Sequence, residues 1–201
     1  PCNASPGTIR LKDISGPNGI PDGIVSSTYD RTVIGQPFPS STYGLTLNAK
    51  YKGFDMALLL QGEAGRKDYI LEWEFFAFDN DANVQKWMYE DRWTPDNPNR
   101  NAGYPKMDLS STTYLPGALP STYWLKSATF LRLKNIQIGY TLPSSITKKL
   151  SLKKVRFYAN GENLFTIDKF YPGMDPEMFI SDSYGFYPLT RTWLFGVNVD
   201  L

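Results

Sequence analysis

Residues 191–201 (RTWLFGVNVDL) alternate apolar with small or polar side chains up to the final position. In an extended strand Trp193, Phe195, Val197, Val199 and Leu201 share one face, and Leu194, Gly196, Asn198 and Asp200 share the other. Chain ends normally fray in water. A strand carrying this pattern to its last residue is expected where one face meets lipid and no sheet edge is left unpaired, as in a membrane barrel.

The same period recurs upstream. Tyr43, Leu45, Leu47, Ala49 and Tyr51 alternate with Gly44, Thr46, Asn48 and Lys50. Lys52-Gly53 supplies a tight hairpin turn, and Phe54, Met56, Leu58 and Leu60 alternate with Asp55, Ala57, Leu59 and Gln61 on the return. A third strand covers 130–140. There Leu131 and Leu133 hold one phase and Ile136, Ile138 and Tyr140 the other, so a β-bulge near Lys134-Asn135 puts all five on one face. A fourth runs from 155 to 165. Strands of roughly 11 residues exceed the usual 5 to 6 of globular sheets and match the length a tilted strand needs to cross a bilayer.

The connections alternate long and short, as in outer-membrane barrels with long outer loops and short periplasmic turns. The chain therefore reads as all-β, the last five antiparallel strands of one large transmembrane β-barrel domain with long extracellular loops. Residues 1–38 form an extracellular loop, 39–62 a β-hairpin and 63–126 a long extracellular loop with a short helix. A second hairpin with a basic periplasmic turn covers 127–166, an extracellular loop 167–188, and the closing strand 189–201. Five strands cannot close a barrel whose smallest forms have about 8. In the long loop, Asn80 or Asp81 is the expected cap of a helix with Val84, Trp87 and Met88 on one face, ended by Thr94-Pro95.

Composition removes several functions. The 21 basic and 20 acidic residues of this 201-residue chain leave no field that would recruit nucleic acid. There is no histidine, and Cys2 is the only cysteine, so the commonest general base, imidazole metal ligands and thiolate clusters are missing. No Ser-His pair, phosphate loop or H-E-x-x-H occurs, and the chain reads as a non-enzyme. The carboxylate pairs Asp79/Asp81, Glu90/Asp91 and Asp175/Glu177 read as solvated surface charge. The chain begins at Pro1, without an initiator Met or signal peptide, and is expected to be a piece of something longer.

Aromatic residues are 15% of the chain. Trp73, Phe75, Phe76, Phe78, Trp87, Tyr89 and Trp93 crowd into the long loop, followed by Tyr104, Tyr114, Tyr123 and Trp124. Three readings stand: a small loop core, an interface with a partner protein, or stacking surfaces for sugar rings. The polar strand positions Thr46, Asn48, Lys50, Gln61, Arg132, Lys134, Gln137, Arg156, Asn160, Asn198 and Asp200 are expected to face the barrel interior. Lys148, Lys149, Lys153 and Lys154 form a basic patch in the second short turn, with nothing in the sequence that shows a partner.

Several blocks carry a family resemblance: DRTVIGQPFPSSTYGLTLNAKYKGFDMALLLQG (30–62), RWTPDNP (92–98), FLRLKNIQIGYTLP (130–143), VRFYANGENLFTI (155–167) and the closing RTWLFGVNVDL. In this order and spacing they resemble the C-terminal region of SusC/RagA-like TonB-dependent receptors of Bacteroidetes. The resemblance implies an outer-membrane barrel of roughly 22 strands, with a plug and TonB box nearer the N-terminus and outer-membrane lipid around it. It implies a SusD-like surface lipoprotein as lid, and import of oligosaccharides, or in some cases peptides, energised through TonB. Gly196, Val199 and Leu201 occupy the places of the family's barrel-assembly signal, with Leu201 where an aromatic is usual. Relatives often carry a calcium-like Asp-x-Asn-Gly-Asp-Gly string near 13–22. Here Asp13, Asn18 and Asp22 remain as candidate calcium ligands, but Pro17 and Pro21 intrude, and a turn capped by Asp and Asn side chains is the competing reading. No other cofactor is expected. The rival to the whole scheme is a soluble, secreted, β-rich carbohydrate-binding module using the aromatic loop 73–93.

Overall fold

The computed structural model describes residues 5–69, 77–78, 83–107, 121–178 and 188–201. They form two compact units, one of Pro1–Gly35 with Tyr69–Leu125 and one of Gln36–Asp68 with Lys126–Leu201. The division arises because the long connections have their own buried residues, Ala77, Met88, Tyr104 and Trp124.

The second unit is an antiparallel sheet. Its long strands are β1 (Ser41–Tyr51), β2 (Phe54–Ala64), β5 (Phe130–Thr141), β6 (Lys154–Glu162) and β8 (Thr192–Asp200), in the spatial order β1-β2-β5-β6-β8. The short β7 (Thr166–Asp168) pairs with the start of β5, while β3 (Lys67–Tyr69) and β4 (Leu125–Ser127) make a separate two-stranded sheet. Lys52 and Gly53 both take positive φ, 46° and 87°, the requirement of a two-residue type I′ turn. Each apolar residue of β1 thereby falls opposite an alternating position of β2, from Tyr43↔Gly62 to Tyr51↔Phe54.

The bulge lies where the change of phase predicts it. Leu59 pairs with Asn135 and Leu60 with Leu133, so Lys134 is the extra residue. Leu131, Leu133, Ile136, Ile138 and Tyr140 consequently share the face of β2's Leu60, Leu58 and Met56. The fourth strand is shorter than the sequence suggests. It stops at Glu162 because Asn163 turns left-handed, at φ 53°, and its N–H donates to the Lys134 carbonyl at 3.1 Å. Pairing with β5 resumes at β7. The break in one strand and the bulge in its neighbour therefore sit side by side.

Between β5 and β6 the chain makes one helical turn, α2 (Ser144–Thr147), then a 3-10 turn (Lys148–Leu150). Val155, on the apolar phase of β6, is buried, and α2 lies against β6. In the first unit the short helix α1 (Lys86–Glu90) starts later and ends earlier than expected. Gln85 is its N-cap, without a side-chain cap bond, and Asp91 ends it ahead of Thr94-Pro95. Asn80 and Asp81 lie outside the described residues.

Candidate functional site

The two faces of the sheet have opposite chemistry. On one, register lines up Tyr51, Phe54, Tyr140, Phe157 and Val197 across all five long strands, with Leu47, Leu58, Ile136 and Gly161 in a further row. This face is apolar yet open: Tyr43, Leu45, Leu47, Phe54, Ile138, Phe157, Trp193 and Val197 are all exposed, and Phe195 reaches 76%. A soluble sheet buries such a face and wets the other. Here the apolar face is left open. Among the described residues no helix is long and apolar enough to cross a membrane.

The opposite face is polar and internally paired. Arg156 on β6 holds Asp55 on β2 through two hydrogen bonds, Nε to Oδ1 at 2.9 Å among them, and also donates to Gln137 at 3.1 Å. Its guanidinium crosses over Gly139 of the intervening strand, where an added Cβ would lie 2.4 Å from Nη2. Tyr158 in turn covers Gly196, whose added Cβ would meet the ring at 2.4 Å. Asn160 donates to Glu162 at 3.4 Å, and Asn48 and Lys50 are exposed on β1, Lys50 in register with Asp55.

Arg132, only 1% exposed, is the centre of a second network. Its Nη2 lies 2.7 Å from Asp175 Oδ1, its Nη1 pairs with Glu177, and its Nε donates to Thr166 at 2.9 Å. Lys134 adds a contact to Glu177 at 3.5 Å, and Gln61 donates to the other oxygen at 3.2 Å. Buried Arg66 donates to the carbonyls of Pro176 and, at 3.2 Å, Met178. Four side chains, Arg132, Lys134, Gln61 and Arg66, thus pin residues 175–178 over the polar face. Asp175 and Glu177 are not solvated surface charge as the sequence suggested: a buried cation 43 and 45 residues away claims both. The partners of Arg132 and Arg156 come from this chain itself.

In the first unit the rings build a core. Tyr104 stands edge-to-face with Trp87 and with Trp124, centroids 5.8 and 6.0 Å apart, and Tyr123 does the same against Trp124 at 4.9 Å. The Tyr104 hydroxyl accepts the Ala77 N–H at 2.8 Å, and Tyr123 donates to the Gly103 carbonyl at 2.6 Å. Burial raises the Tyr104 pKa to about 12 and pushes that of Tyr123 up as well. Trp93 packs its ring against Gly7, while Phe78 and Tyr89 stay exposed, Arg92 lying 3.8 Å from the Tyr89 ring centre. Trp93, Tyr104 and Tyr123 also border a cavity of about 1110 Å³ with Arg10, Arg31 and Arg100 on its walls. Trp73, Phe75, Phe76 and Tyr114 lie outside the described residues.

Two of the candidate calcium ligands cap backbone turns. Asp13 accepts the Gly23 N–H at 2.5 Å and Asp22 that of Ile24 at 2.9 Å, as in turns capped by Asp side chains. No group of three or more candidate metal ligands forms among the described residues. The organiser of this loop is Asp30, which sequence reasoning missed. Its carboxylate accepts the N–H groups of Ile14 at 2.7 Å, Ser15 at 3.1 Å and Ser26 at 2.6 Å, and those bonds, led by Ser26 and Ile14, hold its pKa below the ordinary value. Of the proposed assembly signal, Gly196 is on the polar face under Tyr158, while Val199 and Leu201 are exposed.

No family model matches the chain. It is similar to TonB-dependent receptor P3 of Formosa agariphila, at 31% identity over 98% of this chain and 19% of that receptor. TonB-dependent receptor SusC of Bacteroides thetaiotaomicron is 30% identical over 85% of the chain and 16% of its own length. The solved structure of the RagAB peptide transporter superposes with a TM-score of 0.66 and 25% identity, covering 94% of this chain and 20% of that one. The chain spans about a fifth of the length of these relatives.

Proposed function

Because this chain belongs to the SusC/RagA-like TonB-dependent receptors of the outer membrane, we propose that it forms one wall of a receptor barrel importing oligosaccharides or peptides with a SusD-like surface lipoprotein. The observation that carries this reading is the two-faced sheet: an exposed apolar face across five strands, backed by a face of paired charges. A lipid-facing barrel wall needs both, since acyl chains tolerate the first and a water-filled lumen the second. In this reading the Lys52-Gly53 turn and the connection 143–153 face the periplasm, and the long loops face outward.

Of the loop aromatics, Trp87, Tyr104 and Trp124 maintain the loop's own packing, so we assign contact with lipoprotein or cargo to exposed Phe78 and Tyr89 and to the cavity beside Trp93 and Tyr123. The test uses the full-length receptor. Leu47→Arg, on the apolar face, should cost about 2 to 4 kcal/mol of barrel stability near the bilayer midplane and reduce assembled receptor. Asn48→Arg, one residue along and on the other face, should assemble normally. Equal behaviour of the two variants would overturn the reading. Loss of lipoprotein co-purification with Phe78→Ala and Tyr89→Ala would locate the partner.

A further inference from the structure

We propose that the end of the sheet bearing the two short connections is a docking site for anionic phospholipid headgroups. This inference rests on the membrane-wall reading of the apolar face. Tyr51, Phe54, Tyr140 and Phe157 form a continuous aromatic row at this end, one from each of four neighbouring strands. Such a row marks the edge of an apolar band, where rings settle between acyl chains and headgroups. Immediately beyond it come Lys52, Lys148, Lys149 and Lys153, all exposed. Lys52 folds its ammonium to 5.2 Å from the ring centre of Tyr51, so its stem lies along the aromatic edge.

The connection after β5 is amphipathic in the same sense. Ile146 is 46% and Leu150 60% exposed, interleaved with Lys148 and Lys149. A turn serving only to stay solvated has no use for two open aliphatic side chains. One that lies beside acyl chains and offers ammonium groups to the headgroup layer uses both kinds of residue.

The charge is also without an internal match. None of these four lysines makes an ion pair among the described residues. Of the nearby carboxylates, Asp55 is engaged by Arg156, leaving Asp200 on β8. The opposite end mixes signs, with Glu63, Glu162 and Asp168 near Arg66 and Arg132. Among the described residues, only the short-turn end is a cluster of cations without an ion pair at the edge of an apolar band. A phosphodiester supplies the missing anion. A lysine ammonium, a compact point charge on a flexible stem, suits a fluid headgroup layer better than a fixed bidentate partner.

The test is native mass spectrometry of the detergent-solubilised full-length receptor, titrated with phosphatidylglycerol, phosphatidylcholine of the same acyl chains, or lipid A. We expect preferential retention of phosphatidylglycerol, weakened by about fivefold for each lysine replaced in Lys52→Gln, Lys148→Gln, Lys149→Gln and Lys153→Gln. The Lys→Arg counterparts should retain the preference. Added salt should erase it in the wild type, which keeps the test valid if the fourfold Gln variant fails to assemble. Equal retention of both phospholipids, an undiminished preference in an assembled Gln variant, or stronger retention of lipid A would each overturn the proposal. If these occur while Leu47→Arg still impairs assembly, the membrane wall stands and only the headgroup site falls.

Discussion

Arg156 and Asp55 are joined across an intervening strand, β6 to β2, over the backbone of β5. Neighbouring side chains on a sheet lie within one strand spacing of each other, so a pair that skips a strand needs clearance. Gly139 provides it. Both charges are only partly exposed, at 15% and 22%. We expect Asp55→Ala to destabilise the barrel by about 1 to 3 kcal/mol, because it strands a half-buried guanidinium. The double variant with Arg156→Ala should lose less than the sum of the two single changes. Denaturant unfolding of the refolded receptor in detergent measures both quantities, and strict additivity would show the bridge to be energetically idle.

The same geometry predicts an effect for a residue that forms no bond. Gly139→Val places side-chain atoms where the guanidinium passes. The arginine is flexible and will move aside, so the expected loss is that of the Asp55 contact, about 1 to 3 kcal/mol. In an Arg156→Ala background Gly139→Val should then be nearly neutral, and a full penalty there would mean that the glycine serves the backbone rather than the bridge.

Much of this architecture was legible because it is local. The two-residue alternation sets which side chains share a face. Lys52-Gly53 is a turn on residue type alone, and the phase slip between Leu133 and Ile136 locates the bulge at Lys134. What escaped was relational. Asp175 and Glu177 look like ordinary loop carboxylates until Arg132, far away in sequence, is found buried beneath them. Asp30 carries no motif, since its partners are backbone amides that any residue supplies. Val155 belongs by period to the apolar face, yet it is buried on a strand that α2 lies against, a contact no local pattern announces. Opposite charges on the polar phase of two strands near the same end of the sheet, such as Asp55 and Arg156, were a usable signal for the polar bridge.

The Arg132 network makes the segment 175–178 a strap held by charge. Removing both carboxylates, Asp175→Ala with Glu177→Ala, should release this segment and strand a buried cation, at a cost of about 3 to 5 kcal/mol. Replacing the arginine by an apolar residue of similar length, Arg132→Met, should cost less than Arg132→Ala, because the methionine keeps much of the packing. Hydrogen exchange separates loosening of the strap from loosening of the sheet. The double variant should raise exchange at 175–178 while β5 stays protected, and unchanged exchange there would show that Arg66 alone suffices to hold the strap.

Asp30 makes the loop acid-sensitive in a defined direction. The folded state holds its carboxyl below the ordinary range because three backbone N–H groups point at the anion. The unfolded loop therefore binds a proton more readily than the folded one, with an ordinary Asp pKa of about 3.9. The stabilisation is fully present above that value and is lost as the pH falls through the lower, folded pKa. Between pH 7 and about 5 the amides of Ile14, Ser15 and Ser26 should keep constant protection, and below about pH 4 they should lose it together. Asp30→Asn retains one accepting oxygen, turns an N–H donor toward one of the amides and cannot titrate. It should show reduced protection already at neutral pH and no further change on acidification. Amide exchange corrected for the intrinsic rate is the measurement. Protection that persists in acid, or an Asn variant indistinguishable from the wild type at pH 7, would mean that the loop 13–30 is held by something other than this carboxylate.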